Sequence, residues 1–156
     1  WGLGCDPFSR SAVSKILDLK KRSVDRGLLL VATDIGQFEP FLEGLERKYH
    51  EELDRDWPGP ITYLVPDNGS APRWVVGKHK TLGLRVSDHS LIKTLCALTG
   101  PLVSTSANIS GLPAIKSADE IEEVFDQEID YVLDGELGNL GKPTQIKNIL
   151  TGEVLR

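Results

Sequence analysis

Methionine is missing altogether from this 156-residue sequence, cysteine occurs only twice, and aromatic residues make up 6% of it. No apolar run approaches the roughly 20 residues that a helix needs to cross a bilayer. Nothing at the start has the basic-then-apolar layout of a signal peptide. A membrane-spanning helix and a secreted disulfide framework are therefore not expected. Cys5 and Cys96 stand far apart and make neither a redox nor a zinc-type pair, so they read as thiols of a cytoplasmic protein. Positive charge is also scarce. Eighteen Lys and Arg face 23 Asp and Glu, for a net charge of −5, which argues against a general nucleic-acid binder.

What is present fits one soluble domain. The chain is 40% hydrophobic and 26% charged, an ordinary balance for a globular protein of a size that buries about two-thirds of its unfolded surface. The charge is unevenly placed. In KILDLKKRSVDR, residues 15–26, Lys15, Lys20, Lys21, Arg22 and Arg26 face only Asp18 and Asp25, so this stretch is +3 and the remainder −8. A basic patch on an acidic chain suits a small anionic ligand held locally.

The order of elements predicts an α/β fold. Ser9 or Ser11 caps a helix running to about Leu19, with the basic residues at its C-terminal end, where cations suit the helix dipole. GLLLVAT (27–33) is a buried strand. Residues 37–56 are polar and helical in pattern. WPGP (57–60) is a stiff turn feeding a strand over Ile61–Val65. TLGLRVS (81–87) alternates as a strand, and Ser87 or Asp88 caps a helix over 89–99 that ends at Gly100. A strand over 101–105 follows, then a helix over 117–125 with a Ser117/Glu120 capping box. Further strands are expected in DYVLDG (130–135) and in 144–156, the latter closing a hairpin at Thr151-Gly152, while Gly2-Leu3-Gly4 reads as loop. Strands alternating with helices, with a late hairpin, imply a mixed sheet flanked by helices in a single domain, 1–156.

The strand over 101–105 ends strangely. PLVSTSANISG (101–111) opens apolar and then packs Ser104, Thr105, Ser106, Asn108 and Ser110 into seven positions. Such groups are costly to bury without partners, so they are turn chemistry or the wall of a polar site. Lys20 and Arg22 stand two apart, as do Ser106 and Asn108, and cations with short donors are what phosphate oxygens require. The plain alternative is a solvated basic helix end and a Ser/Asn-rich turn. Trp57 is a core plug or part of a rigid wall, with Thr62 pointing inward behind it. Arg85, in the middle of an apolar strand, calls for an internal carboxylate or a substrate anion. His89, at a helix start, is more simply structural, and His50 and His79 stand in polar segments.

Other motifs fail on spacing. GELGNLGKPT (135–144) misses the P-loop pattern and has Pro143 where Ser or Thr should follow the Lys. GLGCDP lacks the third glycine of a dinucleotide fingerprint. No G-x-S-x-G surrounds Ser106 and no H-E-x-x-H or Cys/His cluster supports a metal site.

Four stretches in this order and spacing, WGLGCDP, LKKRSVDRGLLL, WPGPIT with LRVSDH, and PLVSTSANISGLP, resemble the YrdC-like family, the threonylcarbamoyl-AMP synthases, and most of all its short bacterial form. The resemblance runs from Trp1 to the terminal TGEVLR. It implies an enzyme that joins L-threonine, bicarbonate and ATP into threonylcarbamoyl-adenylate and pyrophosphate with the help of Mg²⁺. Partner proteins would then carry the threonylcarbamoyl group to tRNA. It also implies a concave, positively charged cavity over a twisted mixed sheet. Lys20 and Arg22 match the family's K-x-R and are expected on the phosphates and leaving group, with Ser106 and Asn108 of its S-x-N fixing phosphate geometry. Thr62, Ser104 and Thr144 are secondary nucleotide candidates, and Arg85 is expected on the threonine carboxylate or a phosphate. The family opens with a helix and a strand ending in a Tyr-Pro-Thr-Glu-like motif that helps hold threonine. The sequence given begins at the following Trp-Gly-Leu-Gly stretch, so an N-terminally incomplete domain is expected. Two other readings remain open at this stage: a non-catalytic RNA-binding module using the same basic patch, with weak RNA contact, and a hydrogenase-maturation relative, for which zinc-type or acylphosphatase-like segments would be expected.

Overall fold

A computed structural model describes residues 1–125, 128–133, 135, 136, 138 and 143–156. Six strands form one mixed sheet: β1 (Gly2–Leu3), β2 (Leu29–Ala32), β3 (Ile61–Pro66), β4 (Thr81–Val86), β5 (Leu102–Ser106) and β6 (Gln145–Asn148). Their order across the sheet is β1-β5-β2-β4-β3-β6. β2 runs parallel to β4, and β3 to β6; the other neighbours are antiparallel. The helices are α1 (Arg10–Leu19), α2 (Glu39–Leu42), α3 (Arg47–Asp56), α4 (Arg73–Val76), α5 (Ser90–Thr99) and α6 (Ala118–Phe125). The α/β class and mixed sheet expected from the sequence are what the chain forms.

Side-chain alternation divides the sheet into two faces with different tasks. Leu30, Ala32, Tyr63, Val65, Leu82, Leu84, Val86 and Val103 point to one face and join the main apolar cluster. Val13, Ile16 and Leu17 of α1 pack there, as do Phe41 and Leu42 of α2, Leu53 of α3, Val75 and Val76 of α4, and Ile121 and Phe125 of α6. Trp57 is a core plug, as its plainer reading held. It sits 5.9 Å from the Phe38 ring and 5.8 Å from Tyr63, and its Nε1 donates to the Ile61 carbonyl. The Trp57–Pro58 peptide is cis.

Several local expectations need correction. Residues 37–56 are not one helix. A 3₁₀ turn (Ile35–Phe38) and the single-turn α2 end before Gly44, whose φ of 85° breaks the helical path, and α3 starts afresh at Arg47. Gly2-Leu3 is not loop but an edge strand, paired with Ser106 and Thr105. Residues 130–133 carry no strand, and Tyr131 is exposed; Asp134 lies outside the described residues. Neither Ser87 nor Asp88 caps α5: His89 is its N-cap, without a side-chain cap bond, while the Ser87 hydroxyl accepts from the His89 N–H. α4 has too short an apolar pattern to be read in advance.

Other expectations hold. Ser9 caps α1 through the Ala12 N–H, Gly100 ends α5 at φ 82°, and the C-terminal segment turns back at Gly152 to bridge Val154 to Lys147. Ser117 accepts from the Glu120 N–H, although Glu120 reaches back to the Lys116 N–H, one position outside the usual capping box.

α3 is fixed to the sheet by a polar cluster. The Tyr63 hydroxyl is shared between Glu52 Oε1 (3.1 Å) and Asp56 Oδ2, and Lys147 Nζ from β6 meets Glu52 Oε1 at 2.7 Å. Lys147's bond, reinforced by Tyr63, holds the Glu52 carboxyl below its usual range against the effect of burial; Tyr63's bond does the same for Asp56. Both carboxylates are depressed in the folded state. Their contribution is therefore complete above the ordinary values of 4.5 and 3.8 and is lost as the pH falls below them. Tyr63→Phe is expected to lower stability at neutral pH by about 1–3 kcal/mol. In urea unfolding, the difference from the parent chain should shrink as the solution is acidified below about pH 4.

Candidate active site

The other face of the sheet carries the polar positions. Strand register puts Leu29, Gly83, Leu64 and Ser104 in one row, and Val31, Arg85 and Leu102 in the next, where alternation also places Thr62. Ser106 stands one row beyond Ser104. Thr62 is buried, with its Oγ1 3.4 Å from Thr144 Oγ1 at the entry to β6. Five of the predicted residues, Thr62, Arg85, Ser104, Ser106 and Thr144, thus belong to one face, though to different rows. From Leu102 to Ser106 the rows span about 13 Å, at ~3.3 Å per residue. Gly83 lies at the centre. A Cβ there would stand 2.2 Å from Leu29 Cδ2, so glycine leaves room for Leu29 to lie across the strand.

Lys20 and Arg22 reach the Ser106 end because α1 stops abruptly. The Lys21 N–H donates to the Asp18 carbonyl and the Arg22 N–H to that of Leu17, the paired bonds of a Schellman turn. The position that glycine usually fills is held by Lys21, at φ 47°. This turn separates two cations that are neighbours but one. Lys20 is 2% exposed, and its ammonium donates to the Ser106 carbonyl, the Asn108 carbonyl (3.0 Å) and Asn108 Oδ1 (3.0 Å). Its own carbonyl accepts from the Ser110 N–H at 2.8 Å. Arg22 turns instead toward β2: Nη2 donates to the Gly27 carbonyl at 2.8 Å and to that of Arg26 at 3.3 Å, while the buried Nε has no partner among the described residues.

Asn108 organises the turn after β5. Its Oδ1 accepts from Ser106 Oγ (2.6 Å) as well as Lys20, and its Nδ2 donates to the carbonyls of Ile109 (3.0 Å) and Leu112 (2.7 Å). The acceptor for Arg22 is placed by a close backbone approach. Gly27, at φ 60°, would set a Cβ 2.7 Å from the Val76 carbonyl oxygen, so residues 24–27 lie directly against the end of α4.

The electrostatics follow from this crowding. Burial, with like charge from Arg22 and Arg26, pulls the Lys20 ammonium down from 10.5 to about 8. Burial, then Arg26, also lowers Arg22. Burial lowers Arg85 as well, opposed by Asp88 and Cys96. No carboxylate among the described residues makes an ion pair with Arg85, although Asp88 is near enough to act on its charge. The candidate site end is therefore cationic, with Lys20, Arg22, Ser106 and Asn108 close to it; Arg85 and Thr62 belong to the row at the far end, and Thr144 stands one row beyond. The sequence reading missed Arg26, whose i+4 spacing from Arg22 was the available signal, and Gly83, whose role shows only in the register.

Comparison with known proteins places this arrangement. A family model for Sua5, YciO and YrdC proteins, described as telomere recombination, matches residues 1–156. The chain belongs to this family. It is 47% identical over its full length to a threonylcarbamoyl-AMP synthase of Stutzerimonas stutzeri and 48% identical to one of Pseudomonas entomophila, spanning 84% of each. Among solved structures, P. abyssi Sua5 complexed with L-threonine superposes with a TM-score of 0.89 at 28% identity over 99% of this chain, which spans 46% of that protein.

The left-handed Lys21 gives a direct check on the turn. Lys21→Gly should be tolerated, whereas Lys21→Val, β-branched at positive φ, should cost about 1–3 kcal/mol in thermal or urea unfolding.

Proposed function

We propose that this chain is a threonylcarbamoyl-AMP synthase, which joins L-threonine, bicarbonate and ATP into threonylcarbamoyl-adenylate, with release of pyrophosphate and water. The observation that carries the reading is a cationic corner, with Lys20 bonded to Ser106 and Asn108 and Arg22 to the Gly27 carbonyl, in a chain aligned end to end with synthases of that name. The names of these relatives favour catalysis over the RNA-binding reading. No helix among the described residues is long and apolar enough to span a membrane, and the reading implies work in the cytoplasm with tRNA-modifying partner proteins.

The chemistry needs positioning and charge neutralisation rather than a protein nucleophile. Threonine's amine takes up the carbon of bicarbonate as a carbamate, with loss of water. A carbamate oxygen then attacks the ATP α-phosphorus, a P–O bond to the β-phosphate breaks, and pyrophosphate departs. Negative charge builds on the bridging and non-bridging oxygens, so fixed cations and short donors supply much of the rate. Lys20, Arg22, Ser106 and Asn108 make up the corner assigned to the phosphates, with Ser104 one row away on the same face. Arg85 is suited to the threonine carboxylate or a phosphate, and Thr62 and Thr144 to the nucleotide. Among the described residues no group of His, Cys, Asp and Glu side chains is set to hold a metal ion; Mg²⁺ enters this scheme on the triphosphate, as part of the substrate.

Pyrophosphate release, with ATP, L-threonine, bicarbonate and Mg²⁺ omitted in turn, tests the assignment. Release that requires both threonine and bicarbonate is expected; release indifferent to threonine would remove the synthase reading. Arg22→Ala should abolish turnover with little change in the unfolding midpoint, and full turnover in that variant would overturn the assignment of Arg22.

A further inference from the structure

The two cations of the K-x-R stretch have different surroundings, and the difference separates their roles. An ammonium has three N–H donors, and each of Lys20's has an oxygen: two backbone carbonyls, of Ser106 and Asn108, and the Asn108 side chain. The side chain is 2% exposed, so a phosphate would meet neither a free donor nor an open path. Asn108 is equally committed, with two donors on its oxygen and two acceptors for its amide. Arg22 is only half-buried: its Nη1 makes no hydrogen bond among the described residues and is not enclosed, while its unpartnered Nε lies buried behind it.

We infer, building on the synthase reading, that Lys20 is a positioning residue that locks the 106–110 turn onto the end of α1, and that Arg22 is the cation of this pair that meets the phosphate chain. Without these three oxygens the buried Lys20 ammonium would be left unsatisfied, a penalty larger than the gain from any one exposed contact. Its short link to the Ser110 N–H through its own carbonyl fixes the turn from a second side. The turn in turn fixes where Ser106 stands relative to Ser104 and Arg22. Lys20 therefore acts on the ligand through the backbone of residues 106–108.

Inorganic pyrophosphate titrated into the parent protein, followed by ¹H–¹⁵N spectra of side-chain ammonium and guanidinium groups, tests this directly. Absence of each signal in Lys20→Arg and Arg22→Lys assigns it. The Arg22 Nε–H resonance should move with pyrophosphate while the Lys20 Nζ resonance stays in place. A Lys20 shift as large as that of Arg22 would overturn the inference. In Lys20→Met, calorimetric affinities for AMP, ADP and ATP should all fall by the same factor, about tenfold; in Arg22→Met, ATP should lose at least ten times more than AMP. Loss confined to ATP in Lys20→Met, or no loss at all, would also overturn it. These readouts concern binding, so a parent chain that shows the expected shifts yet releases no threonine-dependent pyrophosphate removes the synthase reading alone. A parent chain that binds none of these phosphates removes both.

Discussion

A buried ammonium with no carboxylate beside it among the described residues is the constraint on which this end of the sheet depends. Lys20 lies inside the protein, and among the described residues its charge is met by amide oxygens. Such a cation is stable there only if every donor has an acceptor. That requirement dictates where the chain must go after β5: the carbonyls of Ser106 and Asn108 have to face the end of α1, and the side chain of Asn108 has to fold back into its own turn. It also keeps the local charge positive, since no carboxylate among the described residues pairs with Lys20 to cancel it.

The sheet solves a second problem with the same economy. One side-chain set builds the apolar core with five of the six helices, while the other presents small and polar groups, with Gly83 between Leu29 and Leu64. α5 is the exception among the helices: its Cys96 is buried outside the main cluster, with Sγ donating to the Val31 carbonyl. A core on one face and polar positions among apolar ones on the other allow a strand such as β5 to change from Val103 to Ser104 within one step.

Much of this was legible in the sequence because periodicity and turn residues are local signals. The strands Leu29–Ala32, Ile61–Pro66 and Thr81–Val86 were read within two residues of their bounds, and the polar run after Val103 lies where β5 ends. The helix break at Gly44 was not seen, because the polar pattern continues across it while the backbone does not. Gly2-Leu3 looked like loop because a two-residue strand exists only through its partner, β5. The site was visible as residue types, but the spacing of Lys20 and Arg22 said nothing of their different directions. Those come from Lys21 adopting a left-handed conformation that its side chain does not announce.

The side-chain bonds also join segments remote in the chain. At the candidate site Lys20 meets Ser106 across 86 positions and Thr62 meets Thr144 across 82, and in the α3 cluster Glu52 meets Lys147 across 95. Contacts of such separation carry a large loop-closure entropy and tend to form late in folding. The cationic corner thus has no local precursor in the unfolded chain. It comes into being with the assembled sheet, so a half-folded chain carries the same lysine and arginine without the arrangement that sets them apart.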